Sequence, residues 1–505
     1  MKICFLLQRR FAYVGHAMAL HLQSRYGVTD FCGYVYSRSS LKFLTSQKEI
    51  KYSKLLLDEE VHARYKNEKL DIDYLKKLEQ EYGIPHIWPF IEIDRLIRYG
   101  LFIRDYPHDT SPYSHEEMLR VLQTHAKAIT DFFETEKPDC LVLSVVANIG
   151  TMLLYHIAKK KGVKVLFIST TRVKNQYTVT EQTETLTYID QAVEEIARGG
   201  EECHEQKKLA ETFLREFRKA PTPHSVTESP KTRPVTRRKQ FSFLQPRKLL
   251  FSIKWFLFTV FEYILDPHKD DYDVIKPWHY FWDRLKRKAR VLWGFNDLYD
   301  PIDVFENFAF FPLQHEPEMS ISLFAPFYND QLWVIKQIAK SLPIDFKLYV
   351  KEHPTTFGYR PRSFYKELKK IPNLKLIDPT KMSFEITKHA KLILTLTGTA
   401  GFEALLLKKP VIVFGDVFYS KLPMVKRVYA IADLPLFVKE QLQHHVHDES
   451  ALLNLITAIY KESADINLIQ IWNIEGDSQM EKKKNAVIPL TDLIASKLNL
   501  KPIDA

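Results

Sequence analysis

Residues 394–416 read LTLTGTAGFEALLLKKPVIVFGD. An apolar run, Leu392 to Leu396, meets Thr397-Gly398-Thr399-Ala400-Gly401 and passes at once into a helical stretch, Thr399 to Leu407. A second apolar run, Val411 to Phe414, follows. Strand, helix and strand in so short a span predict a βαβ unit, and such units build parallel sheets. The turn also has a chemical reading. A helix start presents backbone N–H groups without partners and a partial positive charge, which suits an anion. Gly398 and Gly401 let a ligand approach the backbone, Thr397 and Thr399 add hydroxyls, and Glu403 suits paired ribose hydroxyls. A plain tight turn capped by Thr399 accounts for one glycine but hardly for two.

The alternation extends to both sides of this unit. Strands are expected at Ile321–Ala325, Phe346–Val350 and Leu374–Ile377, with helices at 330–341, 363–370 and 383–389 between them. Five strands and four helices predict a Rossmann-like domain over 305–480. A second set of runs predicts another over 1–190. Its strands fall at Ile3–Leu7, Phe31–Val35, Cys140–Val146 and Lys164–Ser169, and its helices at 12–25, 115–136 and 150–161. Two such domains leave a cleft between the carboxyl ends of their sheets, where ligands of open α/β folds bind. Residues 481–505 read as a C-terminal helix that crosses back to the first domain.

The strand ending at Val350 runs into Lys351-Glu352-His353-Pro354. A cation and an imidazole at a strand end are not needed by the strand. Beside the glycine-rich helix start they make a constellation for a phosphate or carboxylate. The loop FFPLQHEPE, 310–318, is bent by Pro312 and Pro317 and crowds Gln314, His315, Glu316 and Glu318. It reads either as an interdomain hinge or as a sugar-contacting loop. No acid pair has the spacing of a metal site, so neither a metal nor another cofactor is expected.

A chain of 505 residues is too long for one core. Its four cysteines, Cys4, Cys32, Cys140 and Cys203, lie far apart and read as reduced thiols of a cytoplasmic protein. The opening MKICFLLQRR is too short in apolar residues for a signal peptide and reads as a first buried strand. Residues 191–304 break the pattern with a charged helix, Glu194 to Lys219, a proline-punctuated linker and a basic aromatic-rich insertion. From Lys231 to Lys254 there are eight Lys/Arg and no acid. The apolar run Leu249–Leu265 carries Lys254 and Glu262, and a helix that spans a bilayer needs about 20 mostly apolar residues. A helix lying on an anionic membrane surface fits this mixture, as does an arm packed across the domain interface. No recognition module for nucleic acid accompanies the basic patches.

The order FPLQxxPE, a strand ending in KEHP, then TGTxGxEALxxxKPVxxxGxxFY resembles the bacterial capsule-polysaccharide biosynthesis glycosyltransferases, among them the β-Kdo transferases. The likeness covers 308–420; the N-terminal half shares only the βαβ pattern. It implies a GT-B fold and a metal-independent transfer from a nucleotide sugar, CMP-Kdo above UDP donors, to a lipid-linked glycan. On that analogy Lys351 and His353 contact the donor phosphate, Thr397, Gly398 and Thr399 complete the site, Glu403 binds the ribose, and Gln314 and Glu318 meet the sugar or base. An inverting transfer needs a base from the N-terminal rim. Asp94, His16 and Asp105 are the candidates, Asp94 first, with Arg172 facing an acidic sugar or acceptor. The expected setting is the inner face of the cell membrane, with other capsule-assembly proteins as further partners. The alternatives are a teichoic-acid-type polyol-phosphate transferase, a sugar-nucleotide epimerase, or a non-catalytic assembly scaffold.

Overall fold

The computed structural model describes residues 1–83, 85–100, 111–199, 203–222, 241–353, 356–472 and 480–503. Two sheets organise it. The first has the order β13-β6-β5-β4-β1-β2-β3 and the second β12-β11-β10-β7-β8-β9. The first sheet comprises β1 (Lys2–Leu7), β2 (Asp30–Val35), β3 (Tyr52–Leu57), β4 (Cys140–Leu143), β5 (Lys164–Thr170) and β6 (Gln176–Thr180). The second comprises β7 (Phe308–Pro312), β8 (Lys347–Lys351), β9 (Leu374–Ile377), β10 (Leu392–Thr395), β11 (Val411–Val413) and β12 (Val425–Arg427). The last strand, β13 (Ser463–Asp465), returns to the first sheet and pairs antiparallel with β6. This is the α/β, GT-B-like plan of two Rossmann-like domains expected from the sequence.

The first sheet is parallel from β3 to β5 and closes with the antiparallel β5–β6 hairpin. β3 falls within a region that reads as helices and loops, because Ser53 and Lys54 interrupt its apolar run at the sheet edge. The second sheet is parallel throughout. Its central strand is not where the sequence placed one. Residues 319–324 form a short helix, and the strand is Phe308–Pro312, inside the presumed hinge. Four consecutive residues, Phe308 to Phe311, are fully buried, as a central parallel strand with helices on both faces requires. Of the motif FFPLQHEPE, the first three residues therefore end the central strand and the rest form the loop at its carboxyl end, between β8 and β10. In this sheet, strand order reverses between β7 and β10, which is where such sheets hold ligands.

The charged stretch expected as one helix is two, Thr187–Ala197 and His204–Lys219, with Gly199 left-handed at φ 75 between them. Both pack on the second domain's core: Ile189, Ala192, Phe213 and Leu214 join the cluster that holds Phe402 and Ile456. Arg218 fixes that packing with a forked pair to Glu449, at 2.6 and 2.9 Å, and a bond to the Leu406 carbonyl at 2.8 Å.

The insertion is a helical hairpin, Pro246–Leu265 and Pro277–Trp293. The basic residues 231–240 lie outside the described residues. Aromatic pairs join its two helices, Trp255 with Tyr280 and Phe256 with Phe281. The first helix buries none of its residues. Leu250, Leu257, Phe258, Phe261 and Leu265 recur at helical spacing on one face, each more than half exposed. No described helix is long and apolar enough to cross a membrane.

The chain re-enters the first domain at Ser463, earlier than the boundary at 480 read from the sequence. The final helix, Met480–Lys497, lies against helix Phe11–Tyr26, with Val487, Leu490 and Ile494 fully buried beside Ala12, Val14 and Leu22. The core of the N-terminal domain therefore depends on the far end of the chain. Ile494→Ala should destabilise it by about 2–5 kcal/mol through the cavity left behind. Urea unfolding of the intact protein measures this, and a change under about 1 kcal/mol would contradict the packing described.

Candidate functional site

Three neighbouring strand ends of the second sheet, β8, β7 and β10, carry the predicted donor residues over a front of roughly 10 Å, since adjacent strands lie about 4.8 Å apart. Lys351 is the last residue of β8 and is buried, its Nζ donating to Ser383 Oγ at 3.1 Å. Burial lowers its pKa to about 8, against the pull of Glu352 and Asp378. His353, two residues on, is half-buried, and its ring lies 5.0 Å from that of His315 on the β7 loop.

The sequence left Glu352 without a role, and the structure makes it the anchor of the site. Its carboxylate is fully enclosed. It accepts both oxygens' bonds from Arg360 Nη1 at 2.8 and 2.7 Å, and one each from the Tyr365 and Thr356 hydroxyls at 2.7 Å. Arg360 Nη2 then reaches the Gln314 carbonyl at 2.8 Å and Glu316 Oε2 at 3.0 Å. Burial would push the Glu352 carboxyl up, but the guanidinium beside it holds it below the usual carboxylate range. A single buried arginine thus ties the end of β8 to the loop after β7.

Gln314 carries the tie onward to β10. Its Oε1 accepts from the Thr397 amide at 3.2 Å, and its side chain lies so close to Gly398 that a Cβ there would sit 2.7 Å from Nε2. The Gly398 amide donates to Thr395 Oγ1 at 3.1 Å and its carbonyl accepts from Tyr419 at 2.6 Å. The expected donors are therefore redistributed. The amides of Thr397 and Gly398 hold the turn together, whereas Thr399 and Ala400 begin helix Thr399–Leu406, where N–H groups have no carbonyl one turn back. The Thr397 hydroxyl is buried and has no hydrogen-bond partner among the described residues. Glu318 stands at the N-cap position of helix Met319–Phe324, and its carbonyl takes the amides of Ile321 and Ser322.

Glu403 and Arg172 come to one cavity from different domains. Both line a cavity of about 170 Å³ with Lys174, Phe217, Thr399 and Phe402. Arg172 follows β5 in the first domain, in a left-handed turn at φ 63. Glu403 follows β10 in the second. The carboxyl ends of the two sheets thus face one another. The cavity is smaller than the ~300–1,000 Å³ of drug-sized ligand sites. It has room for a fragment of a nucleotide sugar rather than the whole.

The three candidate bases fare differently. Asp94 is buried and caps helix Arg95–Tyr99, Oδ1 accepting from Leu96 and Ile97 and Oδ2 from Ile149 at 3.2 Å. Burial pushes it up to about 6. Enclosed, with both oxygens on amides, it positions backbone. His16 is a core residue on Tyr52, lowered by burial to about 4. Asp105 lies outside the described residues.

Sequence reasoning missed a polar cluster at the rim of the first sheet. Asp58 follows β3 directly and is fully buried, 3.4 Å from His125 Nε2 and bonded to the Tyr34 hydroxyl. Burial opposes the Asp58 charge, yet the His125 bond and charge hold its carboxyl below the usual range and raise His125 in turn. His62, one helical turn on, is lowered to about 3 by burial and by His125, so it is neutral. The strand-end acid in LLLDEEVH, with a histidine four residues later, was the available signal.

A family model of capsule polysaccharide biosynthesis proteins matches residues 300–425. All three sequence motifs fall inside that span, so the resemblance read from them stands. Protein FixF of Sinorhizobium fredii is 29% identical over 136 residues, 26% of this chain and 31% of its own. The chain thus spans about a third of that curated relative. Among solved structures, the β-Kdo 2,7 transferase KpsC of Thermosulfurimonas dismutans is 15% identical, covering 71% of this chain and 89% of its own, with a TM-score of 0.37. The UDP-GlcNAc 2-epimerase of Neisseria meningitidis, bound to UDP-GlcNAc, is 13% identical over 98% of this chain and 100% of its own, with a TM-score of 0.23.

The Arg360 tie has a measurable worth. Arg360→Met would leave two buried carboxylates unpaired, and should destabilise the protein by about 3–5 kcal/mol in urea unfolding. Adding Glu352→Gln should recover part of the loss, whereas additive losses would show that the pair does not act as a unit.

Proposed function

We propose that the chain is a glycosyltransferase of surface-polysaccharide assembly that moves a sugar from a nucleotide-activated donor to a lipid-linked glycan. The observation that carries the reading is the gathering of Lys351, His353, Gln314 and the Thr399 helix start on three adjacent strand ends inside the family-matched segment. An ammonium, an imidazole and helix amides meet the charge of a phosphate, so the reading calls on no metal ion or other cofactor. Glu403 takes the ribose, and Arg172 with Lys174 brings positive charge from the opposite domain to an acidic sugar such as that of CMP-Kdo. Inverting transfer is part of the proposal, with its base drawn from the first domain's rim.

The arm supplies the location. Its exposed face of leucine and phenylalanine is flanked by Arg247, Lys248, Arg284, Lys286 and Lys288, the mixture that seats a helix in an anionic bilayer surface. The inner face of the cell membrane presents such a surface, along with the lipid-linked acceptor and other assembly proteins.

Thermal-shift screening with CMP, UDP, CDP and GDP tests the donor site: a ligand at 100 times its Kd adds about 2.7 kcal/mol. CMP should stabilise the protein most, and no shift with any of them would end the reading. UDP alone would favour an epimerase-like or other UDP-sugar activity. Lys351 adds a pH signature. Its charge is full below about pH 8 and lost above it, so CMP affinity should fall by up to about tenfold per pH unit from there until the pKa of the complex is reached. Calorimetry across that range should show the fall in the wild type and a flat profile in Lys351→Met. For the arm, Leu257→Glu with Phe261→Glu should abolish co-sedimentation with phosphatidylserine vesicles while leaving the CMP shift intact. Unchanged sedimentation would remove the arm from the proposal.

A further inference from the structure

The loop between the two arm helices is inserted into the first domain. Tyr272 reaches the Asp58 cluster: its hydroxyl donates to Asp58 Oδ2 at 2.5 Å, and its ring stacks on His62 at 3.9 Å between centroids and 21° between planes. Its neighbours fasten it on both sides. Asp271 accepts from Arg38 Nε at 2.7 Å. Asp273 faces Glu59, and burial together with that facing carboxyl raises Glu59 to about 8.

Two features set this contact apart from ordinary packing. The groups beneath Tyr272 are polar and costly to bury. An Asp58–His125 ion pair in a closed interior is worth no more to stability than well-packed apolar residues of the same volume. Such pairs at the carboxyl rim of a parallel sheet are where function is sought. The pocket is also fitted to a ring that bears a hydroxyl, with a carboxylate to accept the proton of the hydroxyl and a neutral imidazole to lie flat against the ring. Gly150, at the start of helix Ile149–Lys160, makes space for the Tyr34–Asp58 pair that floors the pocket, because a Cβ there would clash with the Tyr34 hydroxyl and lie 2.6 Å from Asp58 Oδ1. Met319 and Leu323, on the helix that follows the donor-side loop, pack on the same apolar cluster as Tyr272. The pocket therefore lies on the side where the two domains meet.

We propose that the Asp58–His62 pocket binds a hydroxylated six-membered ring, a pyranose of the acceptor glycan, and that Tyr272 is its displaceable internal occupant. The phenol stands where the sugar hydroxyl would lie, and the sugar face replaces the aromatic face on His62. Because the occupant sits on the connection between the arm helices, seating the arm and emptying the pocket are mechanically linked. The identification of the ring as an acceptor rests on the glycosyltransferase reading; the pocket and its plug do not.

The test uses methyl β-D-glucopyranoside and methyl β-D-galactopyranoside as probes, with saturation-transfer NMR on the full chain. Tyr272→Ala should bind at least one of them where the wild type binds neither measurably, and adding Asp58→Asn should abolish that binding. No binding by Tyr272→Ala, or binding that survives Asp58→Asn, would overturn the proposal. CMP thermal shifts on the same samples report the donor site separately, so the two readings fail independently. Tyr272→Phe keeps the ring and deletes only the hydroxyl, which guards against a variant that does not fold. Hydrogen exchange over 266–276 should then quicken about tenfold, since a hydrogen bond to a charged group is lost. Unchanged exchange would likewise count against a plug held by Asp58.

Discussion

The donor side of this molecule hangs on one buried guanidinium. Arg360 joins Glu352, at the end of one strand, to Glu316 and the Gln314 carbonyl, on the loop after the next. Gln314 in turn holds the amide of Thr397 after the third strand. Without Arg360, two enclosed carboxylates would repel each other and drive the loop off the sheet. With it, Lys351, His353 and the helix start are held at fixed separations before any ligand arrives. That is preorganisation in the sense that matters for binding an anion: the cost of ordering the groups is met by the fold.

The acceptor side is built on the same plan with different chemistry. There a carboxylate, Asp58, closes a strand, and His125, whose pKa that carboxylate raises, lies 3.4 Å from it. Each domain thus puts an enclosed ionic pair at the carboxyl rim of its sheet. The pairs differ in what they leave exposed. The second domain's pair is consumed in holding a loop, and its free chemistry comes from neighbours. The first domain's pair takes two phenols on Asp58, Tyr34 from its own sheet and Tyr272 from the arm. The arm belongs to both stories, since its second helix is fixed to the second domain through Arg287 on Tyr359 while its connecting loop is fixed to the first.

The sequence was most legible where periodicity is local. The βαβ unit around Thr397–Gly401 and helix His115–Glu136 are where the pattern puts them. It was least legible where pairing decides. Phe308–Phe311 and Ile321–Phe324 are both short apolar runs, and only hydrogen bonds to β8 and β10 select the first as strand. The short edge strands β3, β12 and β13 have no pattern to betray them. In the site, residues within one motif were found and partners outside it were not: Lys351 and His353 stood out, while Arg360, only seven residues past His353, did not. The Asp58 cluster draws on positions 34, 58, 62, 125 and 272, which no linear spacing brings together.

The return of the chain to the first sheet sets the order in which the protein can be completed. The ribosome delivers helix Phe11–Tyr26 early, but the surface it packs against, from Val487 to Leu498, follows only after the whole second sheet. Throughout elongation the amino-terminal half must keep an oily flank uncovered, so it cannot mature domain by domain as the chain emerges. The amino-terminal core is completed only once residues 480–498 have been made, and a chain cut short of them keeps that flank bare.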